Sequence, residues 1–258
     1  MEGSVAWITI APVKALALVH RDEVEVEPFG VRDNRRFYLV DDNGRMINGK
    51  VVGPLVSVVP DYDEGTGCLA LHLPDGDVVT GAVDDGEPMT TSFFGRPVAG
   101  RIVEGPWSEA LSGLAGRSLR LVRTEEPGHG TDRGGRAGVS LVGTASLEAL
   151  ATAAGVERVD GRRFRMLFGV DGVPAHAEDK WIGRRVRIGD AVIRPRGNVG
   201  RCAVTTQDPE TGVPDLDTLR VLGQYRGDVE TSEPLPFGVW GEILEPGRVR
   251  LGDPVVPE

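Results

Sequence analysis

The stretch Gly197-Asn198-Val199-Gly200-Arg201-Cys202-Ala203-Val204-Thr205-Thr206-Gln207-Asp208-Pro209-Glu210-Thr211-Gly212 is the most informative in the chain. Composition alone supports a bland reading, in which Cys202 is a small buried hydrophobe at the head of a β-branched run. Its neighbours favour chemistry. Arg201 and the Gly-flanked loop place positive charge beside the sulfur, and a soft thiolate suits a soft metal centre. Asp208 to Gly212 reads first as a turn, close enough in sequence to border a pocket at Cys202.

Outward from this segment the chain is punctuated into short strands. Its 36 Gly and 18 Pro fall between β-branched runs and form no low-complexity block. Strands are expected at 36–40, 55–59, 69–73, 119–123, 186–188, 191–193 and 203–205, with hairpin turns at Asp42-Asn43-Gly44 and Gly189-Asp190. Helical spacing occurs in three places. Ser108 caps one candidate carrying Leu111 and Leu114 and ending near Gly116. Ser146 caps another carrying Leu147, Leu150, Ala151 and Ala154, with Gly155 as its stop. Asp215 caps a third carrying Leu216, Leu219 and Leu222. Three helices among many strands argue against an alternating βαβ chain and for a mainly β fold with a few helices (α+β), built on a β-barrel core. Gly and Pro clustered over 95–106 suggest two parts, 1–98 and 99–258. The Gly-rich, charged stretch 125–138 reads as a surface loop.

Bulk properties narrow the function. With 39 acidic residues against 29 Lys and Arg, the net charge of −10 disfavours a general nucleic-acid binder, although a local basic pocket is compatible with it. No run approaches the roughly 20 apolar residues of a membrane span, and the N-terminus lacks the pattern of a secretory signal, so a cytoplasmic protein is expected. Cys68 and Cys202 are the only cysteines, which excludes a four-cysteine zinc or iron–sulfur site within the chain. Cys68 has no motif around it and reads as structural. His20, His72, His129 and His176 lack zinc-site spacing. The Gly-rich run 128–138 lacks the Lys-Ser/Thr ending of a phosphate loop and any strand leading into a GxGxxG helix.

Residues 201–212, RCAVTTQDPETG, followed by the 216–225 helix and Arg226, resemble the signature of the MOSC domain family, which includes amidoxime-reducing proteins. The resemblance continues in order through Phe164-Arg165, His176-Ala177-Glu178-Asp179, Trp181 to Arg185, Val186 to Asp190 and Pro246 to Asp253. Pro12-Val13-Lys14 and Arg35 to Asp41 are similar to the β-barrel domain that precedes MOSC in such reductases, so the likeness covers nearly the whole chain. It implies a pyranopterin molybdenum cofactor with Cys202 as metal ligand and catalytic centre. It also implies that Lys14, Arg36, Thr144, Ser146, Arg165, Asn198 and Arg201 contact the cofactor, whose phosphate calls for local cations in so acidic a protein. For Ser146, helix capping is an equal reading. The chain departs from the family pattern at Ala15, where a small polar residue is usual, and at Met166-Leu167, where Pro-Asn is usual.

The activity so implied is reduction of small N-hydroxylated or N-oxide compounds. Electrons would come from a separate electron-transfer protein, because the chain has no cysteines for a cluster of its own. The alternative is a molybdenum-cofactor or sulfur carrier without turnover.

Overall fold

The computed structural model describes residues 2–93, 95–127, 138–231 and 233–258. Most of the loop expected at 125–138, with His129, therefore lies outside the described residues. Among the described residues the architecture is mainly strands with three α-helices, in two β-rich parts.

In one part seven strands close into a barrel. Their order is Phe168–Asp171, Val139–Gly143, Pro236–Glu245, Ala191–Gly200, Val186–Ile188, Pro254–Pro257 and Gly3–Ile10, which pairs back to Phe168–Asp171. Closure leaves no unpaired edge around the ring. Alternate residues point inward, as strand geometry requires. Val139 and Leu141, Phe168 and Val170, and Val186 and Ile188 meet in one core with Ile8, Val239 and Val255. All but one of the barrel's strand pairs are antiparallel. The exception joins Val139–Gly143 to Phe168–Asp171 in parallel, and the crossover such a pair requires is supplied by α2 (Thr144–Ala154). Leu147 and Leu150 of α2 pack on Val221 and Leu222 of α3 (Thr218–Tyr225).

The other part sets a five-stranded sheet against a three-stranded one. The first has the order Asp84–Phe93, Arg96–Glu104, Arg120–Thr124, Phe37–Val40 and Met46–Ile47. The second has Val59–Asp63, Cys68–His72 and Val78–Ala82. Phe37, Leu39 and Leu121 meet Tyr62, Leu69 and Leu71 in its core, which α1 (Trp107–Ala115) completes with Trp107 and Leu111. The fully buried Trp107 donates its indole N–H to the Leu69 carbonyl at 3.1 Å, so no polar atom of that ring is buried unpaired. Cys68 sits on this small sheet, with its sulfur 3.5 Å from Thr80 Oγ1.

The two parts interleave along the sequence. Gly3–Ile10 belongs to the barrel, whereas α1 and Arg120–Thr124 belong to the other part, and the expected division at 98/99 falls inside the strand Arg96–Glu104. The chain returns to the barrel at Val19–Arg21, which pairs with Gly3–Ile10, and leaves it again before Phe37–Val40, but it first crosses between the parts at residues 11–16. There Val13 bridges Phe37, and the Lys14 N–H donates to the Phe37 carbonyl at 2.8 Å.

Several local expectations are corrected. Residues 55–59 do not form a strand, because Gly53–Ser57 is a 3-10 turn with Pro54 at its head, and Val59–Asp63 is the strand. Residues 203–205 are likewise a 3-10 turn, Ala203–Thr206, because Thr205 turns both its N–H and its hydroxyl on the Cys202 carbonyl, at 3.0 Å each. Ser108 does not cap α1, since its hydroxyl accepts the Leu121 N–H. Asp217, not Asp215, caps α3 through the Arg220 N–H. Gly116 and Gly155 end their helices at φ 61° and 69°, as left-handed C-caps do. No helix among the described residues is long and apolar enough to cross a membrane.

One contact makes the barrel sensitive to a single methyl group. Gly169 pairs with Trp7 across the strands, and a Cβ on Gly169 would stand 2.2 Å from the Trp7 ring. Gly169→Ala should therefore lower the unfolding free energy by about 1–3 kcal/mol through overpacking, read as a lower urea midpoint with an unchanged slope.

Candidate active site

A cavity of about 760 Å³ opens where the chain crosses between the two parts. Thr9 of the strand Gly3–Ile10 and Ala11, Lys14 and Ala15 of the crossing line it, as do Arg35 and the stretch Asn48 to Lys50 from the five-stranded part. From the barrel side come Arg163 to Leu167, Val199 to Cys202, Val204 and Gln207. Cys202, Lys14, Arg165 and Arg201 are thus brought to one cavity from distant points in sequence. Among the described residues, seven cationic side chains line it (Lys14, Arg35, Lys50, Arg96, Arg163, Arg165 and Arg201) against the single carboxylate Glu233. For a chain of net charge −10 this is a strong local reversal of sign.

The cysteine stands at a bend held on both sides. The strand Ala191–Gly200 ends where the Gly200 N–H donates to Glu233 Oε2 at 2.9 Å. Arg201 then turns inward, 9% exposed, with Nε 2.9 Å from the Phe237 carbonyl and Nη1 2.8 Å from the Phe164 carbonyl. Its guanidinium lies 5.1 Å over the Phe164 ring and meets Met166 Sδ at 2.9 Å. Cys202 itself is extended (φ −138°), half-buried, and caps the 3-10 turn. Past the turn, Arg163 grips Asp215 through two hydrogen bonds of 2.6 Å and the Gln207 carbonyl through a third. Asp208 does not reach the cavity wall, because its carboxylate is used by the N–H groups of Glu210 and Thr211, which hold its pKa down.

Arg165, in a left-handed conformation at φ 53°, reaches across to the crossing segment and donates to the Leu16 carbonyl at 2.8 Å. Ala15, Met166 and Leu167, the departures from the family pattern, all line the cavity and present apolar surface.

Four expected contacts lie elsewhere. Arg36 is buried against Thr124, donating to its carbonyl and hydroxyl at 2.5 and 3.0 Å, and its neighbour Arg35 faces the cavity instead. Thr144 donates to Asp171 at 2.8 Å. Ser146 is inside α2 and donates to Glu178 at 2.8 Å, and Asn198 donates to Asp179 at 2.6 Å. None of the four is among the cavity's lining residues. The sequence reading missed Arg35, Lys50, Arg96, Arg163 and Glu233. For these the sequence holds no signal beyond the adjacency of Arg35 to Arg36, which does not say which of the two enters the pocket. Among the described residues no three His, Cys, Asp or Glu side chains gather as a metal site.

Ser146 and Asn198 belong instead to a buried polar network behind the cavity. Glu178, fully buried, accepts from Ser146 and the Gly143 N–H, and burial pushes its carboxyl above the ordinary value. Asp179 accepts from Arg226 at 2.6 Å. Between them His176 approaches the Tyr225 hydroxyl at 3.4 Å. Burial, with the Arg226 charge adding, lowers His176 to about 4, and burial raises Tyr225 to about 12.

The signs of these shifts set a test. Neutral His176 contributes stability that is complete above its ordinary value of 6.5 and lost as pH falls towards about 4. Glu178 acts oppositely, its contribution present below its ordinary 4.5 and lost as pH rises through its higher folded value. His176→Gln removes only the first effect. The stability lost between pH 7 and 4.5 should then shrink by roughly 1–2 kcal/mol after allowance for solvent screening, measured by urea unfolding at both pH values.

Comparison with known proteins bears on both parts. Residues 2–104 match the model of the MOSC N-terminal beta barrel domain, and residues 126–256 match that of the MOSC domain. The chain is 28% identical over 283 residues to mitochondrial amidoxime reducing component 2 of Bos taurus, covering 98% of this chain and 82% of the relative. It is also 28% identical over 290 residues to the Homo sapiens protein of that name, covering 98% and 83%. Among solved structures, the YUAD protein from Bacillus subtilis aligns over 99% of this chain and 94% of its own at 13% identity and a TM-score of 0.47. With its second half matched by the one model and most of its first half by the other, the chain belongs to the MOSC domain family.

Proposed function

We propose that the cavity holds a pyranopterin molybdenum cofactor with Cys202 as the protein's thiolate ligand, and that the protein reduces N-hydroxylated or N-oxide compounds. The observation that carries this reading is a half-buried thiol facing a cavity whose wall gathers cations in an otherwise acidic protein. Family membership and relatives named amidoxime reducing components support it.

The residues present fit such a group. Thiolate is the side chain suited to a soft metal, and Cys202 is the thiol on the cavity wall. The Nε of Arg163 is buried without a hydrogen-bond partner on a residue that lines the cavity, so a donor there is left to spare. Lys14, Arg35 and Arg165 are the groups to hold a phosphate, by point charge and planar fork respectively. When bound, the cofactor supplies a metal that takes an oxygen atom from an N–O group with a two-electron change.

The chain's own part is placement. Arg201 and the Thr205 contacts fix the backbone on either side of Cys202, so the sulfur is presented without reorganisation. Ala15, Met166 and Leu167 give the wall apolar patches that exclude water from part of the pocket. In the net reaction an amidoxime takes up two electrons and two protons and yields an amidine and water. A separate electron-transfer protein is the proposed source of the electrons.

In a host that makes the cofactor, the protein should carry molybdenum and pterin near one per chain, and Cys202→Ala should lose the metal. The loaded protein should reduce benzamidoxime with a chemical donor and not with NADH alone. Metal without turnover would favour the carrier reading, and no metal in either protein would sink both.

A further inference from the structure

We infer that Lys50 is a specificity-determining residue that recognises a carboxylate on the substrate, so that anionic N-oxygenated compounds are preferred over neutral ones. The inference rests on the cavity being the site of N–O reduction.

Lys50 differs from the other cations of the wall in how it is held. Arg163, Arg165 and Arg201 spend donors on Asp215 and on main-chain carbonyls, which makes them part of the scaffold. Lys50 is exposed, and among the described residues its ammonium has no ion-pair or hydrogen-bond partner. It therefore stands at the mouth of the cavity with its charge available.

Its backbone, by contrast, is fixed. The Asn48 side chain accepts the Lys50 N–H at 3.0 Å, and the Asn48 carbonyl accepts from Val51 and Val52 at 2.9 and 3.1 Å. The Gly49 carbonyl accepts from Gln207 Nε2 at 2.8 Å. A Cβ on Gly49 would lie 3.7 Å from Val204, so this turn rests on the 3-10 turn that Cys202 begins. The stem of Lys50 thus starts from a turn packed on the 3-10 turn that the proposed metal ligand begins.

The surroundings suit a small organic anion. Met46, Val56 and Val204 line the same cavity and offer apolar surface to a hydrocarbon or aromatic body. A flexible, hydrated ammonium at the mouth then meets a carboxylate at the far end, which is the use lysine serves better than a scaffold arginine. Being exposed, the contact must weaken with salt.

The test compares benzamidoxime with 4-carboxybenzamidoxime on the cofactor-loaded protein, by turnover with a chemical donor and by calorimetric binding. The wild type should favour the carboxylated compound about tenfold, the size of one charge-assisted contact. Lys50→Met should bring that ratio near one, and Lys50→Arg should keep most of it. Equal binding of the two compounds by the wild type, or an unchanged ratio in Lys50→Met, overturns the inference. So does loss of molybdenum from Lys50→Met, which would assign the lysine to the cofactor. If neither compound were turned over, the reductase reading would fail, while the calorimetric ratio would still decide the role of Lys50.

Discussion

The arrangement of the cavity depends on the guanidinium of Arg201. It joins the residue before Cys202 to the Phe164 and Phe237 carbonyls, which lie on two other segments of the barrel part. Burying a cation costs several kcal/mol, and hydrogen bonds to a charged group each return roughly 1.5–3 kcal/mol, so the net stabilisation is small. What the clamp contributes is position. Two of its partners are main-chain carbonyls, so three segments are joined through their backbone, and Cys202 follows from the residue beside it. The resemblance assigned Arg201 to the cofactor. It does line the cavity, but its donors serve the scaffold.

A second constraint closes the other side. A Cβ on Gly212 would fall 2.0 Å from the Gly53 carbonyl oxygen, and Gly212 has φ 72°, so the turn after Cys202 and the 3-10 turn of the other part meet backbone to backbone. With the Gln207–Gly49 hydrogen bond nearby, this seam joins the two β-rich parts beside the cysteine. The interleaved chain has the same consequence. Because Gly3–Ile10 completes the barrel before the chain enters the other part, Lys14 and Ala15 lie at the crossing itself. The cavity is therefore a product of both parts, and neither holds its whole wall.

This explains how much was legible in the sequence. The β-rich class, the two hairpin turns and the glycine helix ends follow from local chemistry, and local chemistry is what residue patterns record. Cys202, Lys14 and Arg165 each sit in a dense motif, and all three line the cavity. Ala203–Thr206 was misread because a β-branched run carries the same composition whether its threonines pair across a sheet or turn on the preceding carbonyl. Arg36 was chosen over Arg35 because register decides which of two adjacent arginines faces the pocket, and the left-handed turn at Arg35 hides that register. Lys50, Arg96 and Glu233 carry no motif at all. They meet only when the parts close, and no spacing in the sequence encodes a contact made by closure.

The departures at Ala15, Met166 and Leu167 and the surplus of cations bear on one another. Apolar side chains at these positions remove neutral hydrogen-bonding partners from the wall, while the guanidinium and ammonium groups around them remain. The wall pairs these cations with the hydroxyl and amide groups of Thr9, Asn34, Asn48, Ser140, Thr205 and Gln207. Charge is less demanding of geometry than a directed hydrogen bond, and in a partly enclosed site it is screened less than on the surface. The acidic exterior sharpens the contrast. Anions are repelled by the body of the protein at long range and attracted only within about a Debye length of the cavity mouth, so selection for negative groups is made locally, at the cationic wall.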